Sequence, residues 1–151
     1  MYSFAHTFVK ADIIALMAAK SSFTMERFFQ ALGDRTRLRL LNLMGGQELC
    51  VCYLVEVLQQ PQPKISRHLA YLRRAGLVAA RREGKWMHYR IVTPPSPGAA
   101  QILEQTLASL KTDKSMQKDR ALLAKACCTP AKFAALEGAP LPVHIETPSL
   151  R

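Results

Sequence analysis

The sequence predicts a mainly α-helical chain with one small β-hairpin, arranged as a winged helix-turn-helix. Two observations carry this prediction. Apolar residues recur at helical spacing through four short segments within residues 25–76, each closed by glycine or a polar break. The period then shortens to that of strands over residues 77–92, with Glu83-Gly84 as the turn between two of them.

The elements follow in order. Met25, Phe28, Phe29 and Leu32 line one face of a first helix, which Gly33 ends. Asp34 or Thr36 caps a second, whose Leu38, Leu41 and Met44 face the core before Gly45-Gly46 stops it. A third short helix is expected over 51–58, and residues 59–61 break it. The fourth begins near Pro63, a residue suited to a first helical turn, and ends at Gly76. Its Ile65, Leu69 and Leu72 make a single apolar stripe. Strands are expected over 77–82 and 85–92. Thr93-Pro94-Pro95-Ser96-Pro97-Gly98 reads as a linker. Beyond it Ile102, Leu103, Leu107 and Leu110 support another amphipathic helix. Polar residues over 111–120 weaken the pattern, and Leu122, Leu123 and Ala126 revive it as far as Cys127-Cys128. Pro130 and the prolines after Glu137 predict little regular structure at the end. The expected divisions are an extension (1–24), a core (25–92), a linker with a C-terminal helical segment (93–128) and a flexible tail (129–151).

A chain of 151 residues has room for one compact domain with extensions, and 49% apolar residues suffice for a packed core. The net charge of +10 favours a polyanionic partner. Residues 25–92 hold 12 Lys/Arg against 5 Asp/Glu, so most of the surplus lies in the folded core rather than in a basic tail. No run is apolar enough for a membrane-spanning helix. Residues 11–19 are apolar behind Lys10, but Asp12 interrupts them, so they read as part of an extension upstream of a second candidate start at Met25. Four cysteines fall in two close pairs, Cys50/Cys52 and Cys127/Cys128. That pattern differs from a secreted disulfide framework and predicts a cytoplasmic protein with thiols free to act as ligands.

Two short helices followed by a basic hairpin place the second helix in a DNA major groove. With Ile65, Leu69 and Leu72 turned inward, Ser66, Arg67, Ala70 and Arg74 point away, and Lys64 and His68 flank them. Gln62, Lys64, Ser66, Arg67 and His68 are the candidate contacts to base edges or phosphates. His68 has an equal claim to a hydrogen bond inside the fold. Arg81, Arg82 and Lys85 are expected at the hairpin tip, over phosphate or a minor groove.

Several motifs together give the chain a family likeness. Ala31-Leu32-Gly33-Asp34-Arg35-Thr36-Arg37-Leu38, Glu48-Leu49-Cys50-Val51-Cys52, Ile65-Ser66-Arg67-His68-Leu69 and Leu72-Arg73-Arg74-Ala75-Gly76-Leu77-Val78, continuing through Arg81-Arg82-Glu83-Gly84-Lys85 to Tyr89, resemble the ArsR/SmtB family of metal-sensing repressors. The resemblance covers about residues 25–92. It implies a homodimer on a two-fold operator, with the first and last helices at the dimer interface, that lets go of DNA when an inducer binds.

Soft thiolates select soft ions, so Cys50 and Cys52 point to As(III), Sb(III), Cd(II), Pb(II) or Zn(II). A helix start also lowers a thiol pKa. Residues two apart on a regular helix do not face one another, however, so joint ligation is expected to need an irregular first turn. The alternative is two small side chains packed in the core. The family's arsenic sensors often carry a third cysteine where this chain has Val55, and an aspartate where it has Tyr53. A three-sulfur site therefore needs Cys127 or Cys128, from the same chain or a partner, unless that vicinal pair is idle or forms a site of its own. The C-terminal helix lacks the Asp/His and His/Glu pairs of the family's zinc sensors, and the N-terminal segment has no cysteine for a Cd/Pb site. His6, His88 and His144 read as isolated.

The reading is a trivalent arsenic- or antimony-responsive repressor with no catalytic cofactor. A thiol redox switch, a Cd/Pb or organoarsenical sensor and a constitutive DNA binder remain as alternatives. The sequence offers no phosphate loop, cofactor fingerprint or histidine base beside the thiols, which argues against an enzyme.

Overall fold

The structure is a computed structural model and describes residues 23–133 and 136–145. Most of the expected extension (residues 1–22) and the end of the expected tail lie outside the described residues. Helix α1 (Met25–Leu32) starts where Thr24 accepts a hydrogen bond from the Arg27 amide, and it buries Phe28 and Ala31. Asp34 caps α2 (Arg35–Met44) by accepting from the Arg37 amide at 2.9 Å. Arg37 turns back to close α1, donating to the carbonyls of Ala31 (2.8 Å) and Gln30 (2.6 Å). Both carbonyls lie in the last turn, where intrahelical donors run out, and that of Gln30 also accepts from the Gly33 amide at 3.3 Å, so the guanidinium fixes the α1–α2 corner.

Sequence periodicity misses the next element. Strand β1 (Gln47–Cys50) separates α2 from α3 (Val51–Leu58). Four residues are too few for an alternating pattern, and Leu49-Cys50-Val51 reads as a plain apolar run. α3 buries Tyr53, Leu54, Val57 and Leu58. Helix α4 (Gln62–Arg74) follows, with Ile65, Leu69 and Leu72 fully buried as its stripe predicts. Each such side chain contributes roughly 1.5–3 kcal/mol to holding α4 against the core.

Strands β2 (Val78–Glu83) and β3 (Trp86–Ile91) form the hairpin, with Glu83 opposite Trp86 and Gly84 at φ 58° in the turn. β1 pairs antiparallel with β3, setting Leu49 opposite Tyr89 and Cys50 opposite His88. A two-residue strand β4 (Val143–His144) pairs with the other edge of β1, giving the order β2-β3-β1-β4. This departs from the expectation of an irregular tail. Prolines flank the strand, and it borrows its hydrogen bonds from an edge that the sequence pattern does not reveal.

The weakened helical segment resolves into two helices, α5 (Pro97–Thr112) and α6 (Lys114–Cys128). Asp113 makes the break by accepting from the amides of Ser115 (2.8 Å) and Met116 (3.0 Å), capping α6. α6 folds back on its own chain and packs against α2 and α3. Arg39 on α2 grips Asp119 with two hydrogen bonds of 2.7 and 2.8 Å. Asn42 adds a bond to the Met116 carbonyl at 3.0 Å and accepts a short one from Arg120. With Asp119 only 4% exposed, this polar seam specifies where α6 lies in a way that Leu123 and Ala126 packing alone would not.

Candidate nucleic-acid interface and thiol site

Helix α4 is held by its stripe so that Gln62, Lys64 and Arg67 are exposed and Ser66 is half-buried. Three of the five candidate groups on this helix are therefore exposed to solvent. His68 is half-buried and turned inward, its Nδ1 3.6 Å from the Asp34 carboxylate. Burial pushes its pKa down, against the pull of Asp34, so the imidazole belongs to the α2–α4 junction.

The hairpin cations separate. Arg82 and Lys85 reach the turn: Arg82 Nε donates to the Gly84 carbonyl at 3.1 Å, and Lys85 Nζ lies 4.8 Å from the Trp86 ring centre. Arg81 lies on the other face of β2, because successive strand residues alternate. Its Nε and Nη2 both donate to Glu48 Oε1, at 3.0 and 2.6 Å, and its Nη1 to Glu83 at 2.9 Å. Arg81 is thus half-exposed and already neutralised by two carboxylates rather than standing free at the tip. Glu48, 8% exposed, was not singled out as a candidate; on β1 it also lies 3.8 Å from Arg90. Only the β1–β3 pairing brings these groups together.

A second basic surface escaped the sequence reading. The Arg37 guanidinium sits 4.3 Å over the Tyr71 ring and Arg74 lies 5.9 Å from it, while Tyr71 donates to Gln30 at 3.0 Å. The sequence signal was one aromatic three positions before an arginine on the outer face of α4.

The thiols converge for a reason that removes the difficulty expected from their spacing. Cys50 is the last residue of β1 and the N-cap of α3, with extended backbone (φ −64°, ψ 142°), so it is not part of the helix. Its side chain folds over the first turn, and the two Sγ atoms stand 2.6 Å apart, with Cys52 donating to Cys50. No helical turn has to distort. That hydrogen bond lowers the Cys50 pKa to about 7, against the effect of burial and with help from the Cys52 amide. Cys52 is pushed well up because it keeps the proton the pair shares. The thiolate is the metal ligand, so the lowered Cys50 supplies a ready sulfur donor, and capture of a soft cation displaces the proton left on Cys52.

Of the C-terminal pair, Cys128 is exposed and Cys127 half-buried against the core. Burial and then the neighbouring Cys128 raise the Cys127 pKa. Tyr53 is fully buried and its hydroxyl has no hydrogen-bond partner. Burial, and then the charges of Cys127, Cys52 and Cys50, raise its pKa. Among the described residues no three His, Cys, Asp or Glu side chains are already gathered around one point. His88 is not isolated: it is 3% exposed, opposite Cys50 across the sheet, with its Nε2 3.4 Å from Glu83 but without a hydrogen-bond partner. His144 pairs with Gln47 at the sheet edge, and His6 lies outside the described residues.

Residues 34–80 match the family model described as bacterial regulatory protein, arsR family. The arsenical resistance operon repressor of Escherichia coli is 48% identical over 80 residues, 52% of this chain and 68% of that protein. An arsenic resistance transcriptional regulator of Pseudomonas putida is 41% identical over 98 residues, 64% of this chain and 83% of that protein. Among solved structures, reduced HlyU from Vibrio cholerae aligns over 68% of this chain and 98% of its own, with 27% identity and a TM-score of 0.49.

Proposed function

Starting from the fact that this chain belongs to the arsR family of bacterial regulatory proteins, we propose that it is a transcriptional repressor released from its operator by trivalent arsenic or antimony. Regulation of transcription, rather than catalysis, is the established business of the family and of these relatives. The observation that carries the inducer reading is the 2.6 Å approach of Cys50 and Cys52. Two thiols sharing one proton are a ready chelate for a trivalent metalloid, and hard ions such as Mg(II) find no oxygen set there.

DNA contact is assigned to Gln62, Lys64, Ser66 and Arg67 on α4 and to Arg82 and Lys85 at the hairpin turn. Arg81 joins them on release from Glu48, and His68 acts by holding α4 against Asp34. Residues 25–92 form the reading unit, 93–128 the arm that carries the second thiol pair, and 1–24 and 129–151 the flanking segments. The protein works in the cytoplasm; no described helix is long and apolar enough to cross a membrane. It binds as a homodimer, with α1 and the C-terminal helices the proposed interface, so that two α4 helices reach successive major grooves.

Ligation can reach the DNA surface by two short routes. Cys52 lies on α3, which packs against α4. Cys50 ends the strand whose Glu48 holds Arg81. The third sulfur is assigned to Cys127 of the same chain, since α6 packs on α3 and Cys127 is half-buried against the core while Cys128 is exposed. Arsenite added under full reduction to the protein bound to DNA from upstream of its own coding sequence should release that DNA. The Cys50→Ser, Cys52→Ser variant should bind the same DNA and ignore arsenite. Release that requires an oxidant would replace metalloid sensing by a redox switch.

A further inference from the structure

The basic surface at the α1–α4 junction lies outside both the DNA contacts assigned above and the thiol site. Arg27, Gln30, Tyr71, Arg74 and Ala75 line a cleft of about 310 Å³ there, and no Asp or Glu is among them. Arg37 and Arg74 approach the same Tyr71 ring, at 4.3 and 5.9 Å from its centre. Cations gathered without a carboxylate repel one another, and an anion entering the cleft relieves that repulsion. The groups divide their work. Arg37 is taken up by the carbonyls of Ala31 and Gln30 and holds the ring in place. Arg74 is exposed and forms no ion pair with a carboxylate among the described residues. Gln30 Oε1 accepts from the Tyr71 hydroxyl at 3.0 Å, which leaves the amide nitrogen of Gln30 as a donor.

The cleft continues the face of α4 already assigned to DNA. Lys64, Arg67, Tyr71 and Arg74 recur at spacings of three and four, which sets them along one ridge of the helix. Arg74 stands about 15 Å beyond Lys64 on that ridge. At about 3.4 Å per step along one DNA strand, this distance passes roughly four phosphates. On the reading that α4 lies in the operator's major groove, we propose that the α1–α4 cleft grips the DNA backbone flanking that groove. Arg74, Arg27 and the Gln30 amide meet phosphate oxygens, and the Tyr71 ring, clamped by Arg37, is the rigid wall beside them. Such contacts add affinity and fix register, and they carry no base preference. The exposed apolar residues of α1, Met25 and Phe29, stand roughly 100–160° around the helix from Arg27 and Gln30. That other side can join a partner subunit while the cleft stays open.

The test uses the full-length protein and operator duplexes that share one core and carry either long or trimmed flanks, with binding followed by fluorescence anisotropy across a salt series. Arg74 is exposed in the last turn of α4, so Arg74→Ala should keep the fold, which circular dichroism checks. On the long duplex this variant should lower the slope of log K against log salt by about one unit and weaken all sequences alike. Arg74→Lys, which keeps the charge, should restore the slope. Trimming the flanks should weaken the wild type and change the Arg74→Ala variant less than about twofold, because the variant has already lost that contact. An unchanged slope in Arg74→Ala, or an equal loss on trimming for both proteins, overturns the proposal. Inorganic phosphate that binds only when Arg74 is present, with the DNA slope intact in Arg74→Ala, overturns it in favour of a small-oxyanion site. Arg67→Ala separates it from the reading beneath it. If that variant changes neither slope nor base preference, the docking of α4 itself fails. If Arg67→Ala lowers the slope and Arg74→Ala does not, only the cleft assignment fails.

Discussion

Glu48 Oε1 accepts hydrogen bonds from both Nε and Nη2 of Arg81, joining a buried carboxylate two residues before Cys50 to a cation of the hairpin. The pair makes β1 a physical link between the thiol site and the wing. Arg81 is half-exposed, so the pair itself adds little stability. Its effect lies in where the guanidinium points and how much free charge it presents to DNA.

Salt dependence of operator binding should reveal this. Lys85→Ala and Arg67→Ala each remove a free cation and should lower the slope of log K against log salt by about one unit. Arg81→Ala removes a cation that Glu48 and Glu83 already neutralise, and its slope change should be clearly smaller. Equal slopes for all three variants, measured by fluorescence anisotropy, would place Arg81 directly on phosphate.

Base reading should separate from backbone grip. Ser66→Ala or Gln62→Ala should shift preference among operator variants by about 1–3 kcal/mol at particular base pairs, while Lys85→Ala weakens all sequences alike. Binding to a panel of single-base operator variants distinguishes the two patterns.

The shared thiol proton predicts a pH response. With Cys50 lowered to about 7 from an ordinary value near 9.0, one thiol should alkylate half-maximally near neutral pH. The same lowering is a stability statement. The native state binds fewer protons than the unfolded state between pH 7 and 9, so stability rises with pH across that window. The contribution is complete above the unfolded value and lost as pH falls through 7. The raised pKa of Cys52 acts oppositely above pH 9. Denaturation midpoints from pH 6 to 10 should therefore peak near 9, and Cys50→Ser should remove the rising limb.

The α2–α6 seam can be broken singly. Asp119→Ala leaves Arg39 without its bidentate partner and should cost roughly 3 kcal/mol, towards the low end for a buried pair because Arg39 retains some water. Its more telling effect is on the arm. Once α6 is loosened, arsenic X-ray absorption should count two sulfurs where the wild type gives three.

What was legible in the sequence is local. The stripe of Ile65, Leu69 and Leu72 located α4 and its free face to within a residue, because helical period and burial are set by neighbours along the chain. The glycine at 84 likewise marked the hairpin turn by its backbone conformation alone. β1 and β4 were not legible, since a strand of two to four residues has its hydrogen-bond partners elsewhere in the sequence. The break at Asp113 could have been read, as an aspartate capping the two amides that follow it.

The thiol site shows the same division. Sequence by itself determined that two thiols stand close before the helix of the helix-turn-helix, because residue type sets soft-donor chemistry and spacing sets proximity. Whether Cys50 and Cys52 face one another depended on Cys50 being the end of a strand, and that is decided by pairing with β3 some forty residues later. The burial of Tyr53, the capture of Arg81 by Glu48 and the return of Cys127 towards α3 likewise arise from contacts between distant segments. Such contacts have no period along the chain, and only the packed structure brings them together.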